Sequence, residues 1–191
     1  MKKKTVAILM AAAMIFSGAV GATAAWLTAQ ATEIVNTFTY GDINLELTEE
    51  KPEGRTGQMI PGSTIEKDPA VVVKAGSEAC WVFVKIETEN HPDQYLTYTV
   101  NSVWKPVPGQ ENVYYLEQGS LAELSGTENN KTYPVLAGNQ VTVKENITKT
   151  QLTDIGTNYP KLKFIAYAVQ KENIPTVEAA WAKVPVKSST P

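Results

Sequence analysis

Catalysis needs a nucleophile, a base or a set of ligands, and this chain offers few of each. His91 is its sole histidine and Cys80 its sole cysteine. A zinc hydrolase takes about three protein ligands, commonly two of them from a helical His-Glu-x-x-His. One histidine in Glu89-Asn90-His91-Pro92-Asp93 cannot assemble that site and reads as a loop histidine facing water. Cys80 with His91 could be pictured as thiolate and base. Cys80, however, sits on the interior repeat of an apolar strand, where a thiol packs as a small hydrophobe; nucleophilic cysteines occupy electropositive, partly exposed places. Glu87, Glu89, Asn90 and Asp93 put oxygen donors within seven residues, the raw material of a calcium loop. Their spacing matches no defined loop, and a solvated acidic turn is the default account of them. Trp104, Tyr114 and Tyr115, read as exposed, could stack on sugar rings, with core packing as the alternative. No Gly-x-Ser-x-Gly elbow and no glycine-rich phosphate loop occurs. The residue inventory therefore points away from an enzyme and calls for no cofactor.

The elements that would carry these residues repeat with period two. Ile43, Leu45 and Leu47 alternate with Asn44, Glu46 and Thr48, as in a half-buried strand, and Phe38 and Tyr40 extend it across a bend at Gly41-Asp42. Residues 51–63, with two prolines and three glycines, read as a surface loop. Ala70–Lys74 is a short strand entered through Pro69. In Ala79–Glu87, Cys80, Val82, Val84 and Ile86 form the core face, and Trp81 and Phe83 on the other face lie under a loop or second layer. Tyr95–Val100, Val113–Glu117, Val141–Lys144 and Lys161–Gln170 complete the strand set; the last is apolar on both faces and belongs in mid-sheet. Thr150–Ile155, stopped by Gly156, and Thr176–Lys183, after Pro175, are short helices, and 119–131 is an exposed connection. The expected fold is an all-β antiparallel sandwich with one or two short helices.

The N-terminus carries an address. Lys2, Lys3 and Lys4 precede an apolar run from Val6 to Val20, and Gly21-Ala22-Thr23-Ala24-Ala25 supplies the small residues that a signal peptidase cleft accepts. Cleavage after Ala24 or Ala25 follows. A retained anchor would need about 20 apolar residues, a length reached only if the small-residue tail is counted. The expected organisation is a helical signal peptide over 1–25, an extended segment over 26–38 and the sandwich over 39–191. Formal charge is −3 from 17 basic and 20 acidic residues, and loss of the three leader lysines takes it to −6. That balance disfavours nucleic acid and anionic membrane as partners. A single cysteine leaves stability to the core, without disulfides.

Ala24-Ala25-Trp26-Leu27-Thr28 and the stretch Asn36–Thr48 resemble the start of Gram-positive exported proteins cut by the SipW-type signal peptidase, the TasA-like and camelysin-like group. Ile60-Pro61-Gly62-Ser63-Thr64-Ile65, Gly76–Lys85 and Phe164–Lys171 extend the similarity, most closely to its clostridial branch. The resemblance implies a jelly-roll-like sandwich secreted to the cell surface or biofilm matrix, with the SipW-type peptidase, further copies or matrix proteins as partners. It implies a structural, non-enzymatic role and, for TasA-like subunits, polymerisation by lending an N-terminal strand. The corresponding donor residues are Trp26, Leu27, Ile34, Val35 and Phe38; the same apolar segment could instead pair within its own domain. A monomeric secreted binding module for calcium, glycan or a surface protein is the alternative function. The metalloprotease label used for camelysin relatives does not carry over to a chain with one histidine. Mass spectrometry of the protein from culture supernatant should find a mature terminus at Ala25 or Trp26; a chain still beginning at Met1 would overturn cleavage.

Overall fold

The computed structural model describes residues 28–32, 35–36, 43–50 and 59–185. The leader, with Ala24 and Ala25, lies outside them, as do Phe38, Tyr40 and Gly41-Asp42.

Among the described residues twelve strands form three antiparallel sheets. The largest has the order β2-β1-β12-β6-β9-β8, made from β1 (Thr28–Thr32), β2 (Val35–Asn36), β6 (Cys80–Glu89), β8 (Lys105–Pro106), β9 (Val113–Gln118) and β12 (Lys161–Gln170). Its spine is the ladder between β12 and β6, in register from Lys161↔Glu89 to Gln170↔Cys80. β9 continues it on the far side of β6, from Cys80↔Gln118 to Lys85↔Val113.

The facing layer is a bent ribbon. β5 (Ala70–Val73) pairs with β3 (Leu45–Thr48) and β10 (Lys131–Pro134), and β11 (Gln140–Val143) pairs with β4 (Thr64–Glu66) and β7 (Leu96–Thr97). β4 runs into β5, and β10 into β11. At the corner, Lys67–Pro69 face the longer stretch Val135–Asn139, held where the Val135 N–H donates to the Pro69 carbonyl at 2.8 Å and the Lys67 N–H to that of Asn139 at 2.8 Å. Extra residues on one strand bend a ribbon in this way. Lys67 pins the corner: its ammonium lies 2.6 Å from Glu49 Oε1 and 5.7 Å from the centre of the Phe164 ring.

Alternation sorts the core into two clusters, one on each face of the large sheet. Cys80, Val82, Val84, Ile86, Leu116, Phe164, Ala166 and Ala168 meet Ile43, Leu45, Val71, Val73, Val135 and Val141 of the ribbon. Trp81, Phe83, Ile165, Tyr167 and Val169 face outward and are covered by the C-terminal segment. There α3 (Val177–Trp181) places Val177 and Ala180, with Ile174 and Val184 beside it, over the sheet. Trp181 packs against Phe83 and Tyr167 at 5.3 and 5.8 Å between ring centres, and Trp81 Nε1 donates to the Ile174 carbonyl at 3.0 Å. The second layer expected over Trp81 and Phe83 is this segment. The expected all-β sandwich is the observed architecture.

Several sequence expectations need correction. Tyr95–Val100 is not one strand: Pro92–Tyr95 forms the single-turn helix α1, β7 keeps only Leu96–Thr97, and Val100 makes one bridge to Leu136. Proline at the first turn has no amide to lose, which favours the helical start. The stretch 119–131 is exposed over Glu123–Glu128 but tied at both ends, since Leu121 is buried and the Asn130 side chain accepts from the Ala75 N–H at 3.0 Å. The helix expected over Thr150–Ile155 is α2 (Lys149–Asp154), opened by a capping box between Thr148 and Gln151 and followed by Gly156 at φ 58°. Phe83 is fully buried between β12, β9 and α3, so Phe83→Ala should cost about 3–5 kcal/mol of unfolding free energy. Tyr159→Ala, at a ring 60% exposed, should stay within ~0.5 kcal/mol in the same denaturant titration.

Candidate functional site

β12 decides where this molecule can interact. Lys163 apart, every residue from Leu162 to Val169 is apolar, and Phe164 to Val169 are all buried. A strand of that composition must have layers on both faces and neighbours on both edges, because any exposed edge offers apolar surface with unpaired amides and carbonyls. β6 takes one edge over all ten residues. The other is taken by β1, which pairs Thr28↔Val169, Ala29↔Ala168, Gln30↔Tyr167 and Ala31↔Ala166. β2 folds back on β1 at Ala31↔Asn36 and Thr32↔Val35 and closes the sheet.

Of the donor residues expected from sequence, Val35 lies in β2, whereas Trp26, Leu27, Ile34 and Phe38 fall outside the described residues. Within one chain the segment pairs with its own domain, the alternative left open by sequence. β1, which lies between β12 and the edge strand β2, nevertheless differs from the other strands of the sheet, since it and β2 belong to the N-terminal segment 26–38 that precedes the sandwich in sequence.

The other candidate residues are dispersed. Cys80 opens β6 and His91 follows its end; ten residues at about 3.3 Å each separate them by roughly 30 Å, too far for a nucleophile and its base. His91 is exposed, at φ 50° beside Asn90 at φ 59°, where it caps α1 without a side-chain hydrogen bond. Glu87 accepts from Lys85 at 2.8 Å and has Lys163 at 3.6 Å; its hydrogen bond from Lys85, with Lys163 adding, holds the carboxyl below its ordinary range. Glu89 pairs with Lys161 at 2.9 Å. Two of the carboxylates considered for calcium thus serve cross-strand ion pairs, while Asn90 donates to the Tyr159 carbonyl at 2.8 Å. Among the described residues no group of three or more His, Cys, Asp and Glu comes together to hold a metal ion.

The aromatics expected to be exposed are not. Trp104 is 4% exposed and donates through Nε1 to the Pro134 carbonyl at 2.9 Å; Tyr114 and Tyr115 are half-buried, one against each core cluster. Sequence reading missed Tyr133, whose ring packs edge-on to Trp104 at 6.3 Å and whose hydroxyl donates to Gln118 Oε1. Its signal was faint, because Lys131–Pro134 follows a polar connection and ends in proline.

Comparison with protein-family models, with curated proteins and with solved structures finds no match. Among the described residues no helix is long and apolar enough to cross a membrane.

Cys80 gives the sharpest chemical test. Burial pushes its thiol from 9.0 up to about 12. The unfolded chain loses that proton near its ordinary value and the folded one keeps it, so the associated stability is full below pH 9 and drains as pH rises. The slope is about 1.4 kcal/mol per pH unit. Cys80→Ala should therefore flatten the decline in unfolding free energy between about pH 9 and 11. An unchanged slope would remove the thiol from the account.

Proposed function

We propose that this chain is an exported, non-enzymatic β-sandwich of the cell surface or biofilm matrix, and a fibre subunit in which the arm 26–38 of one copy pairs with β12 of the next. The observation that carries this reading is the position of Thr28–Thr32. They pair along the edge of a strand buried from Phe164 to Val169, yet stand at the end of an arm that the leader would release on cleavage. Donor-strand addition uses this combination of a main-chain ladder for affinity and an apolar acceptor for stability.

Other features are in keeping with a scaffold rather than a catalyst. The thiol is sealed in the core, the histidine lies apart from it, and lysines engage Glu87 and Glu89. The export half of the proposal rests on the basic, apolar and small-residue order of 1–25, and on the resemblance of the segments around Trp26 and Gly76–Lys85. The SipW-type peptidase would be the first partner and other copies of the chain the next.

Electron microscopy of residues 26–191, concentrated to the millimolar range, should show fibres, and a version starting at Thr39 should not. Because that truncation also bares β12, a second variant separates assembly from folding. Thr28→Cys with Val169→Cys, at opposed register positions, locks the arm in its own domain when oxidised. The oxidised form should stay monomeric and the reduced form polymerise; fibres from both would refute arm exchange.

A further inference from the structure

β8 covers β9 only in part. Their ladder runs from Pro106↔Tyr114 to Lys105↔Tyr115 and goes no further among the described residues, because the chain before Lys105 turns away, with the Val103 N–H donating to Asn101 Oδ1 at 3.1 Å. Where β8 stops, an open groove of about 270 Å³ straddles the sheet rim, lined by Val103, Lys105, Tyr115, Leu116, Glu117 and Tyr133.

Two of its lining residues are tyrosines whose rings are held by neighbours, one on each face of the large sheet. Tyr115 leans on Trp81 at 5.9 Å with 56° between the planes. Tyr133 is held by Trp104 at the ring and by Gln118 at the hydroxyl. Rings fixed in advance lose little entropy when a ligand stacks on them. Two polar groups stand at the rim. Lys105 makes no ion pair among the described residues, and Glu117 accepts from Lys171 through Oε2, leaving Oε1 for a further donor.

Charge narrows the ligand class. An anion drawn by Lys105 would meet the Glu117 carboxylate, and a cation drawn by Glu117 would meet both Lys105 and Lys171. A neutral ring rich in hydroxyls satisfies donor and acceptor together and lays its C–H face on a tyrosine. The volume is just below the ~300–1,000 Å³ usual for small-molecule pockets. Open to solvent, the groove can seat one unit of a longer chain. We infer that the rim groove between Tyr115 and Tyr133 binds one unit of a neutral polysaccharide, with Lys105 and Glu117 as its hydrogen-bonding pair. The inference is independent of strand exchange: a monomer would bind through the same groove.

The test is a titration of the natively produced chain with cellotetraose as neutral probe and tetragalacturonate as its anionic counterpart, followed by the NMR signals of Lys105, Tyr115 and Tyr133. Cellotetraose should shift these three saturably, and more tightly than the anion. Lys105→Ala and Glu117→Gln should each weaken binding about fivefold, the effect of losing one hydrogen bond. Both are surface changes that leave the tyrosine platforms in place. No saturable shift at about 10 mM, tighter binding of the anion, or full affinity in both variants would overturn the inference.

Discussion

A strand with no solvent face sets the terms for the rest of this molecule. β12 presents Phe164, Ala166 and Ala168 to one cluster and Ile165, Tyr167 and Val169 to the other. Each large apolar side chain is worth about 1.5–3 kcal/mol when buried, so two covering layers are required rather than optional. The bent ribbon supplies one and the C-terminal segment the other. A two-sheet sandwich alone would leave Trp81, Phe83 and Tyr167 in water; the short helix after β12 makes three layers of it. Ser77 shows how closely the joints are fitted. Fully buried, it donates to the Lys74 carbonyl at 2.6 Å and accepts from the Asn44 N–H at 3.0 Å, so neither side of its hydroxyl is wasted.

The same constraint explains the treatment of strand ends. Exposed edges invite pairing with other chains, and proteins blunt them with charge, proline and brevity. Here β8 is Lys105-Pro106, β10 begins at Lys131 and ends at Pro134, β7 has two residues and β4 three. On β3, Glu46 pairs with Lys74 at 2.9 Å. β12 has no such protection on the side away from β6. Ala166 and Ala168 are fully buried small residues, and on that side, among the described residues, the arm strand β1 is their ladder partner.

These physical facts also decide what could be read from sequence. β6 and β12 were legible almost to the residue, because ten-residue runs of alternating apolar side chains fit no other element. The faces of β6 were legible too, since Cys80 to Ile86 and Trp81 to Phe83 sort by parity. β4, β8 and β10 were not, being two to four residues long, proline-marked or polar, and held in place by neighbours rather than by their own pattern. Trp104 misled for a related reason: it lies between strands, where no period reveals that Pro134 will accept its indole N–H. The groove was invisible because it exists only where two unremarked elements, β8 and β10, end near β9. Its lysine and glutamate look like any surface charges until the fold brings them to one groove with Tyr115 and Tyr133.

On the proposed reading, an arm that completes its own sheet and an arm that completes a neighbour's form identical ladders, so contact energy cannot choose between them. The choice falls to effective concentration and to strain in the connection. An arm covalently joined to its own body is held there at an effective concentration in the millimolar range, above what free subunits reach in dilute solution. Intramolecular pairing then wins in dilute solution, and exchange needs either a high local concentration of subunits, in a concentrated sample or at a surface, or delivery of the arm before it has closed on its own body. Release of the leader outside the cytoplasm would do the second, since the arm becomes free at the moment when neighbouring copies emerge beside it. Assembly is on this account governed by where and when the arm is freed, and the body needs no conformational change to accept it.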